Sequence, residues 1–200
     1  MKKKKNLALF DFDGTISTKD SLIEFIQYAV GRPRYYFGVL YLSPMLIAYK
    51  LNIIKNHKAK EIFISHFFKN WDSSKFQDIA DRYSLEELDT IIRDKAMDRI
   101  KWHKYQGDKI VVVSASIECW LKEWCKREEL SLISTKLEYK DDKITGKFST
   151  PNCYGEEKVT RIHDMYYLGD YEIIYAYGDS SGDKELLELS DRPSFKPFRD

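Results

Sequence analysis

The chain has 200 residues, of which 43% are hydrophobic and 32% charged, and its net charge is +1. That size and balance fit one domain of ordinary size, or a core with a smaller insertion, and exclude a disordered chain. A charge this close to zero offers no general attraction to nucleic acid, and three cysteines (Cys119, Cys125 and Cys153) with no C-x-x-C pair argue against a disulfide framework or a zinc site.

A basic run, Lys2 to Lys5, leads into Leu7-Ala8-Leu9-Phe10-Asp11-Phe12-Asp13-Gly14-Thr15. Four apolar residues are too few for the apolar core of a signal peptide, so the chain is expected in the cytoplasm with the lysines solvated. An apolar run with polar residues only at its end reads as a buried strand, and Gly14 lets the backbone turn sharply behind it. Asp11 and Asp13 then stand at the carboxyl end of a central strand, where open α/β sheets place their ligands.

After Thr15 the pattern turns helical. Ser21 followed by Glu24 has capping-box spacing, Leu22, Phe25, Ile26 and Ala29 recur at helical intervals, and Gly31 and Pro33 end the helix. Tyr35 to Tyr49 is an uncharged, mostly apolar stretch of fifteen residues between Arg32 and Arg34 on one side and Lys50 on the other. It is too short to span a bilayer and Ser43-Pro44 interrupts it, so a helix buried under its neighbours is the expectation. The alternative is an interfacial segment that brings residues 32–50 against a membrane surface. Ala59, Ile62, Phe63 and Phe67 form a further stripe, and Phe76, Ile79, Ala80 and Tyr83 another. Ser84 with Glu87 is a second capping box, predicting a long helix with Leu85, Leu88, Ile92, Ala96 and Ile100 on one face, stopped by Gly107.

From Gly107 strands alternate with helices. Ile110 to Val113 predicts a strand leading into Ser114-Ala115-Ser116, followed by a helix from about Ile117 to Glu128. Leu132 and Ile133 suggest a strand, and Leu137 to Tyr139 with Ile144 to Phe148 a hairpin. A helix is expected from about Glu156 to Tyr167. A last strand, Glu172 to Tyr177, ends in Gly178-Asp179-Ser180-Ser181-Gly182-Asp183 before a helix with Leu186, Leu187 and Leu189. This alternation predicts a parallel sheet with helices on both faces, in which separate strand ends converge on one edge.

The residues so gathered are Asp11, Asp13, Ser114, Asp179 and Asp183, with Lys158 added from the first turn of its helix. Clustered carboxylates without histidine or cysteine point to Mg²⁺. One aspartate can then attack phosphorus to form an aspartyl-phosphate, and the second can protonate the leaving alcohol and later activate water. Ser114 and Lys158 would hold the phosphoryl oxygens. The four histidines, His57, His66, His103 and His163, have no ligand spacing and read as structural or solvated.

On these residues the chain resembles the haloacid dehalogenase (HAD) superfamily. Asp11-Phe12-Asp13-Gly14-Thr15 looks like its motif I, Val113-Ser114 like motif II, Lys158 like motif III, and Gly178 to Asp183 like motif IV, all in order. The resemblance implies an α/β fold with a Rossmann-like core (residues 1–16 and 101–200) and an all-helical C1-type cap inserted after motif I (residues 17–100). It implies Asp11 as nucleophile and Asp13 as general acid/base. Mg²⁺ would be held by Asp11, the backbone carbonyl of Asp13, and Asp179, with Asp183 supporting, and phosphate by Ser114 and Lys158. More narrowly the chain resembles subfamily IB, the phosphoserine-phosphatase-like branch that includes phosphatidylglycerophosphatase C. Ser180, Gly182 and Ala115-Ser116 depart from the usual phosphoserine phosphatase pattern. The expectation is a phosphatase for a small phosphorylated metabolite. The alternatives are a lipid-phosphate phosphatase at the membrane surface and a non-catalytic sensor of a phosphorylated ligand.

Overall fold

The computed structural model describes residues 4–199; Lys2 and Lys3 of the basic run, and the outermost ends of the expected core, lie outside the described residues. In chain order the strands are β1 (Lys5–Phe10), β2 (Lys109–Ile117), β3 (Ser131–Thr135), β4 (Leu137–Lys140), β5 (Lys143–Phe148), β6 (Tyr171–Gly178) and β7 (Arg192–Phe195). The main helices are α1 (Ser21–Val30), α2 (Arg32–Tyr41), α3 (Ser43–Lys50), α4 (Asn56–Phe68), α5 (Ser73–Arg82), α6 (Asp94–Gln106), α7 (Lys122–Arg127), α8 (Glu156–Met165) and α9 (Lys184–Glu188).

β1 is the middle strand of a five-stranded parallel sheet of order β3-β2-β1-β6-β7. Successive side chains of a strand point to opposite faces, and both faces of β1 are covered. Leu7 and Leu9 pack with Val111, Val113, Ile162 of α8 and Leu186 of α9, while Ala8 and Phe10 pack with Val112, Tyr177 and Ile100 of α6. That double burial is why β1 reads as an unbroken apolar run. Phe10 pairs in register with Val112 on one side and Tyr177 on the other. Asp11 therefore emerges level with Val113 and Gly178, and Ser114 and Asp179 follow one residue later. The sheet register itself brings the three strand ends together.

α1 to α5 form the insertion between β1 and β2. Its two connections run side by side: Ser17 faces Ile92 across an antiparallel bridge, Thr18 N–H donates to the Ile91 carbonyl at 2.7 Å, and Arg93 N–H to that of Ile16 at 2.9 Å. Phe25 of α1 stacks on Trp120 at 4.6 Å and meets Phe76 edge-on at 5.4 Å, seating the helices on the sheet side of the molecule. The β4–β5 hairpin, turned by Asp141 and Asp142 at φ 50° and 57°, is a separate antiparallel pair. It joins the insertion by backbone bonds, from Asn70 to Ile144 (2.8 Å) and from Ile144 to Trp71 (3.0 Å).

Several local expectations are corrected. Asp20 caps α1, accepting from Leu22 and Ile23, and Ser21 is buried inside instead. The long helix expected from Ser84 is broken into two short turns, Tyr83–Glu87 and Leu88–Ile91, before α6 begins at Asp94. Ile92 must be extended to pair with Ser17, and the Ser84 hydroxyl accepts from Trp124 N–H at 2.9 Å rather than capping a helix. Ile117 completes β2, so the following helix shrinks to α7. Tyr35 to Tyr49 is not a buried helix. Pro44 opens α3 near its start, and within the stretch only Gly38 and Leu42 are buried, because the insertion covers the rod on its inner side alone.

Behind the sheet, His103 of α6 is fully buried between Asp108, 2.7 Å from Nδ1, and the Tyr177 hydroxyl, 2.9 Å from Nε2. A neutral ring protonated on Nδ1 satisfies both, donating to the carboxylate and accepting the phenol. Burial pushes its pKa below the ordinary 6.5, outweighing the opposing pull of Asp108. The unfolded chain therefore binds this proton more readily, and the stability His103 contributes is full above pH 6.5 and falls as the pH drops below it. The urea-unfolding stability of wild type minus that of His103→Gln is expected to decline from pH 7 to pH 5 with a limiting slope of about 1.4 kcal/mol per pH unit. A flat difference would remove His103 from the pH dependence.

Candidate active site

Counting in twos from Leu7 and Leu9 puts Asp11 on the α8 side of the sheet. There the Lys158 ammonium, from the first turn of α8, donates to Asp11 Oδ1 at 2.6 Å and to Asp183 Oδ1 at 2.6 Å. The Thr15 hydroxyl donates to Asp11 Oδ2 at 3.1 Å. Asp11, Lys158 and Asp183 are all buried. Asp183 Oδ2 accepts from the backbone N–H of Asp179 (3.1 Å) and of Ser180 (3.0 Å) and from the Ser180 hydroxyl (2.9 Å), so the loop after β6 folds around it. Asp179 points back toward Gly14, and the same oxygen, Oδ2, that lies nearest Gly14 is held in an ion pair by Arg199.

Carboxylate oxygens of Asp11, Asp179 and Asp183 lie within 4.8 Å of one another. Three hard oxygen donors at that spacing, with no nitrogen or sulfur among them, fit Mg²⁺. Gly14 makes the approach possible. Its φ is +80°, and a Cβ built there would lie 2.5 Å from Asp179 Oδ2.

Asp13 faces a different way. Its Oδ1 accepts from Ser21 N–H at 2.7 Å, at the first residue of α1, and its Oδ2 accepts a short hydrogen bond from the Ser116 hydroxyl. Because Ser116 spends its hydrogen on Asp13, the Ser21 hydroxyl donates to Ser116 across 2.9 Å and accepts from Trp120 Nε1 at 3.2 Å. A relay of donors thus fixes Asp13 between the first strand, the end of β2 and the insertion. Ser114 is buried and its Oγ accepts from Ser116 N–H at 3.0 Å, leaving its hydrogen to donate.

The electrostatics follow from burial. Loss of water pushes Asp11 up to about 7, with Lys158 opposing and Asp183 and Asp13 adding to the rise. Asp13 is pushed up to about 6, again by burial first and the charge of Asp20 second, against the hydrogen bonds from Ser116 and Ser21. Burial would lower Lys158, but Asp11 and Asp183 outweigh it and hold the ammonium well above its usual range. Asp183 feels burial upward, and Lys158 with the loop N–H groups brings it below the ordinary carboxylate value.

All six residues picked from sequence lie at this one sheet edge. Sequence reading missed four partners. Thr15 and Ser116 carry hydroxyls two residues from Asp13 and Ser114, while Ser21 has the sequence signal of a helix cap alone. Lys60 of α4 carried none: a lysine on a helix is ordinarily solvated. Here its ammonium donates to the Ala115 carbonyl at 3.2 Å, between Ser114 and Ser116, and burial lowers its pKa against the pull of Asp13 and Asp20.

Residues 8–188 match the family described as haloacid dehalogenase-like hydrolase. Protein CicA of Caulobacter vibrioides is 33% identical over 195 residues, covering 96% of this chain and 86% of that protein. The histidinol-phosphatase of Neisseria meningitidis serogroup C is 27% identical, covering 94% and 89%. Among solved structures, a substrate-bound phosphoserine phosphatase superposes with a TM-score of 0.61 at 20% identity, covering 94% of this chain and 84% of that one.

Gly14→Ala is expected to weaken Mg²⁺ binding by about 10–100-fold, because the new Cβ must displace the Asp179 carboxylate. Calorimetric titration of Mg²⁺ into the folded variant checks this, and unchanged affinity would take Asp179 out of the metal set.

Proposed function

Because the chain belongs to the haloacid dehalogenase-like hydrolases, we propose that it is a Mg²⁺-dependent phosphomonoester hydrolase working through an aspartyl-phosphate. The observation that carries this reading is the separation of two carboxylates two residues apart. Asp11 is gripped from the α8 side by Lys158 and Thr15, and Asp13 from the insertion side by Ser21 and Ser116.

An Asp11 oxygen attacks phosphorus, a new O–P bond forms, and the bond to the substrate's alcohol oxygen breaks. Asp13 gives its proton to that oxygen. Asp13 then takes a proton from water as the water oxygen attacks phosphorus, the Asp11–phosphate bond breaks, and phosphate leaves. A carboxyl pushed up to about 6 by burial is suited to both roles near neutral pH. Mg²⁺ held by Asp11, Asp179, the Asp13 backbone carbonyl and, in support, Asp183 would neutralise the charge that builds between nucleophile and phosphoryl group. Ser114 would donate to a phosphoryl oxygen, and Lys158 would offset its charge while keeping Asp11 aimed.

A small phosphorylated metabolite is the first substrate class. Its alcohol portion would enter a cavity of about 290 Å³ between α1, α2, α3 and α4, whose lining includes Asp20 and Lys60. The cavity walls include Leu22, Ile23, Val39, Leu46 and Phe63, and this apolar lining favours a second reading, a lipid phosphate whose chain begins there. Residues 17–92 would then act as a cap that excludes water and selects the leaving group.

Wild type is expected to hydrolyse an aryl phosphate with Mg²⁺ and to stop in EDTA. Asp11→Asn should leave no turnover, and Asp13→Asn should lower kcat by about 10²–10⁴-fold. Wild type inert toward a broad panel of phosphomonoesters in Mg²⁺ would favour the phosphate-ligand sensor instead.

A further inference from the structure

We propose that the outer face of α2 and α3 docks on a membrane surface carrying anionic lipid headgroups. The two helices behave as one rod. Leu42 joins them: its N–H donates to the Gly38 carbonyl at 2.9 Å and its own carbonyl accepts from Leu46 N–H at 3.0 Å, while Pro44 has no N–H to offer Leu40. Within each helix the side chains separate by exposure into two sets.

The inner set, with Val39 and Leu46, walls the cavity beside Asp20 and Lys60. The outer set is large and apolar: Phe37 is 74% exposed, Leu40 71%, Tyr41, whose ring stacks on His66, 75%, and Ile47 58%, and Leu51 (65%) and Ile53 (73%) follow in the turn after α3. This stripe cannot be buried by rolling the rod inward, because the backbone at Gly38 already lies against α4. A Cβ on Gly38 would come within 2.4 Å of the Phe67 ring, so the rod lies directly against α4. Contiguous exposed apolar surface of this kind marks an interaction site rather than ordinary surface.

Charge selects the partner. No Asp or Glu occurs from Phe25 to Lys60, while Arg32 and Arg34 precede the stripe and Lys50, Lys55 and Lys58 follow it. These five basic residues are exposed, Lys58 being paired with Glu61 at 3.0 Å. An apolar helical face with aromatic side chains and basic ends matches the interfacial region of an anionic bilayer, where rings sit at headgroup depth and cations meet phosphates. A second copy of the chain fits less well, since a two-fold pairing of this face would set basic ends beside basic ends. Among the described residues no helix is long and apolar enough to cross a membrane, so the contact would be peripheral.

Docking does not require catalysis, and the two are measured apart. Full-length protein is sedimented with vesicles of phosphatidylcholine alone and with added phosphatidylglycerol, while aryl phosphate hydrolysis is followed in the same samples. Wild type should bind the anionic vesicles, and added salt should weaken that binding. Phe37→Glu with Leu40→Glu should weaken it at least 10-fold while leaving aryl phosphate hydrolysis unchanged, which also shows that the variant is folded. Arg32→Gln with Arg34→Gln should reduce the preference for phosphatidylglycerol. Absence of binding by an active wild type overturns docking and leaves the phosphatase reading intact. So does equal binding by the double glutamate variant, or a wild-type dimer in light scattering that the same variant dissociates. Vesicle binding by an inactive wild type would retain docking and count against the phosphatase.

Discussion

Four aspartates crowd the carboxyl ends of two neighbouring strands, and the buried ammonium of Lys158 is what lets the fold carry them there. Each buried carboxylate loses its hydration, a cost that attraction to a cation offsets only when geometry is good and the remaining lone pairs are satisfied. Lys158 meets Asp11 and Asp183 at 2.6 Å each, and Thr15, Ser180 and the loop N–H groups take the outward oxygens. Replacing the lysine with an apolar side chain would leave two uncompensated charges, worth about 3–5 kcal/mol in comparable buried pairs. The pair also has a directional effect: with one oxygen on Lys158 and the other on Thr15, the Asp11 carboxylate is fixed in rotation before any ligand arrives. Positioning of that kind lowers the reorganisation left to be done during reaction.

The parallel sheet supplies the convergence and the helical insertion supplies the contrast. Asp11, Asp179, Asp183 and Lys158 all belong to the sheet and α8, with no dependence on α1 to α5. Asp13 does depend on them, through Ser21, and Lys60 enters only from them. Movement of the insertion would thus alter Asp13, the proposed proton carrier, and leave Asp11, the proposed nucleophile, in place. The β4–β5 hairpin complicates a simple division into halves. It follows the core strands in sequence, yet bonds to Asn70 and Trp71 of the insertion and packs Gly146 against Ser65. The insertion is therefore tied to the rest of the molecule by its two connections, the Phe25–Trp120 stack, the Ser84–Trp124 bond and this hairpin, among other contacts.

What could be read from sequence was whatever depends on short spacing and on burial on two sides. β1 is apolar at every position from Leu7 to Phe10 because helices cover both faces, whereas a strand with one face in water would carry polar residues at alternate positions. Gly14 and Gly178 flank aspartates because a side chain at either would strike a carboxylate group. The errors arose where tertiary contact overrode local preference. Ser84 has the spacing of a helix cap, but the Trp124 backbone claims its hydroxyl. Leu85 to Ile100 has helical period, but Ile92 is drawn out of it to pair with Ser17 across the two connections. Lys60 could not have been found, since nothing in its neighbours along the chain reports that α4 delivers it to the Ala115 carbonyl.

The rod of α2 and α3 shows the limit of periodicity most clearly. A helix facing water on one side alternates apolar and charged residues; one apolar all round is normally buried all round. Residues 35–49 are uncharged around the whole circumference, which is why burial was the natural reading, yet the insertion meets them only on the side of Gly38, Val39 and Leu46. Composition and fold are reconciled if both sides of the rod face something other than water. On the inner side that is the wall of the cavity that Lys60 and Asp20 also line; on the outer side it would be the lipid surface. One short rod would then set the depth of the molecule at the bilayer and the apolar lining of the entrance to its carboxylates.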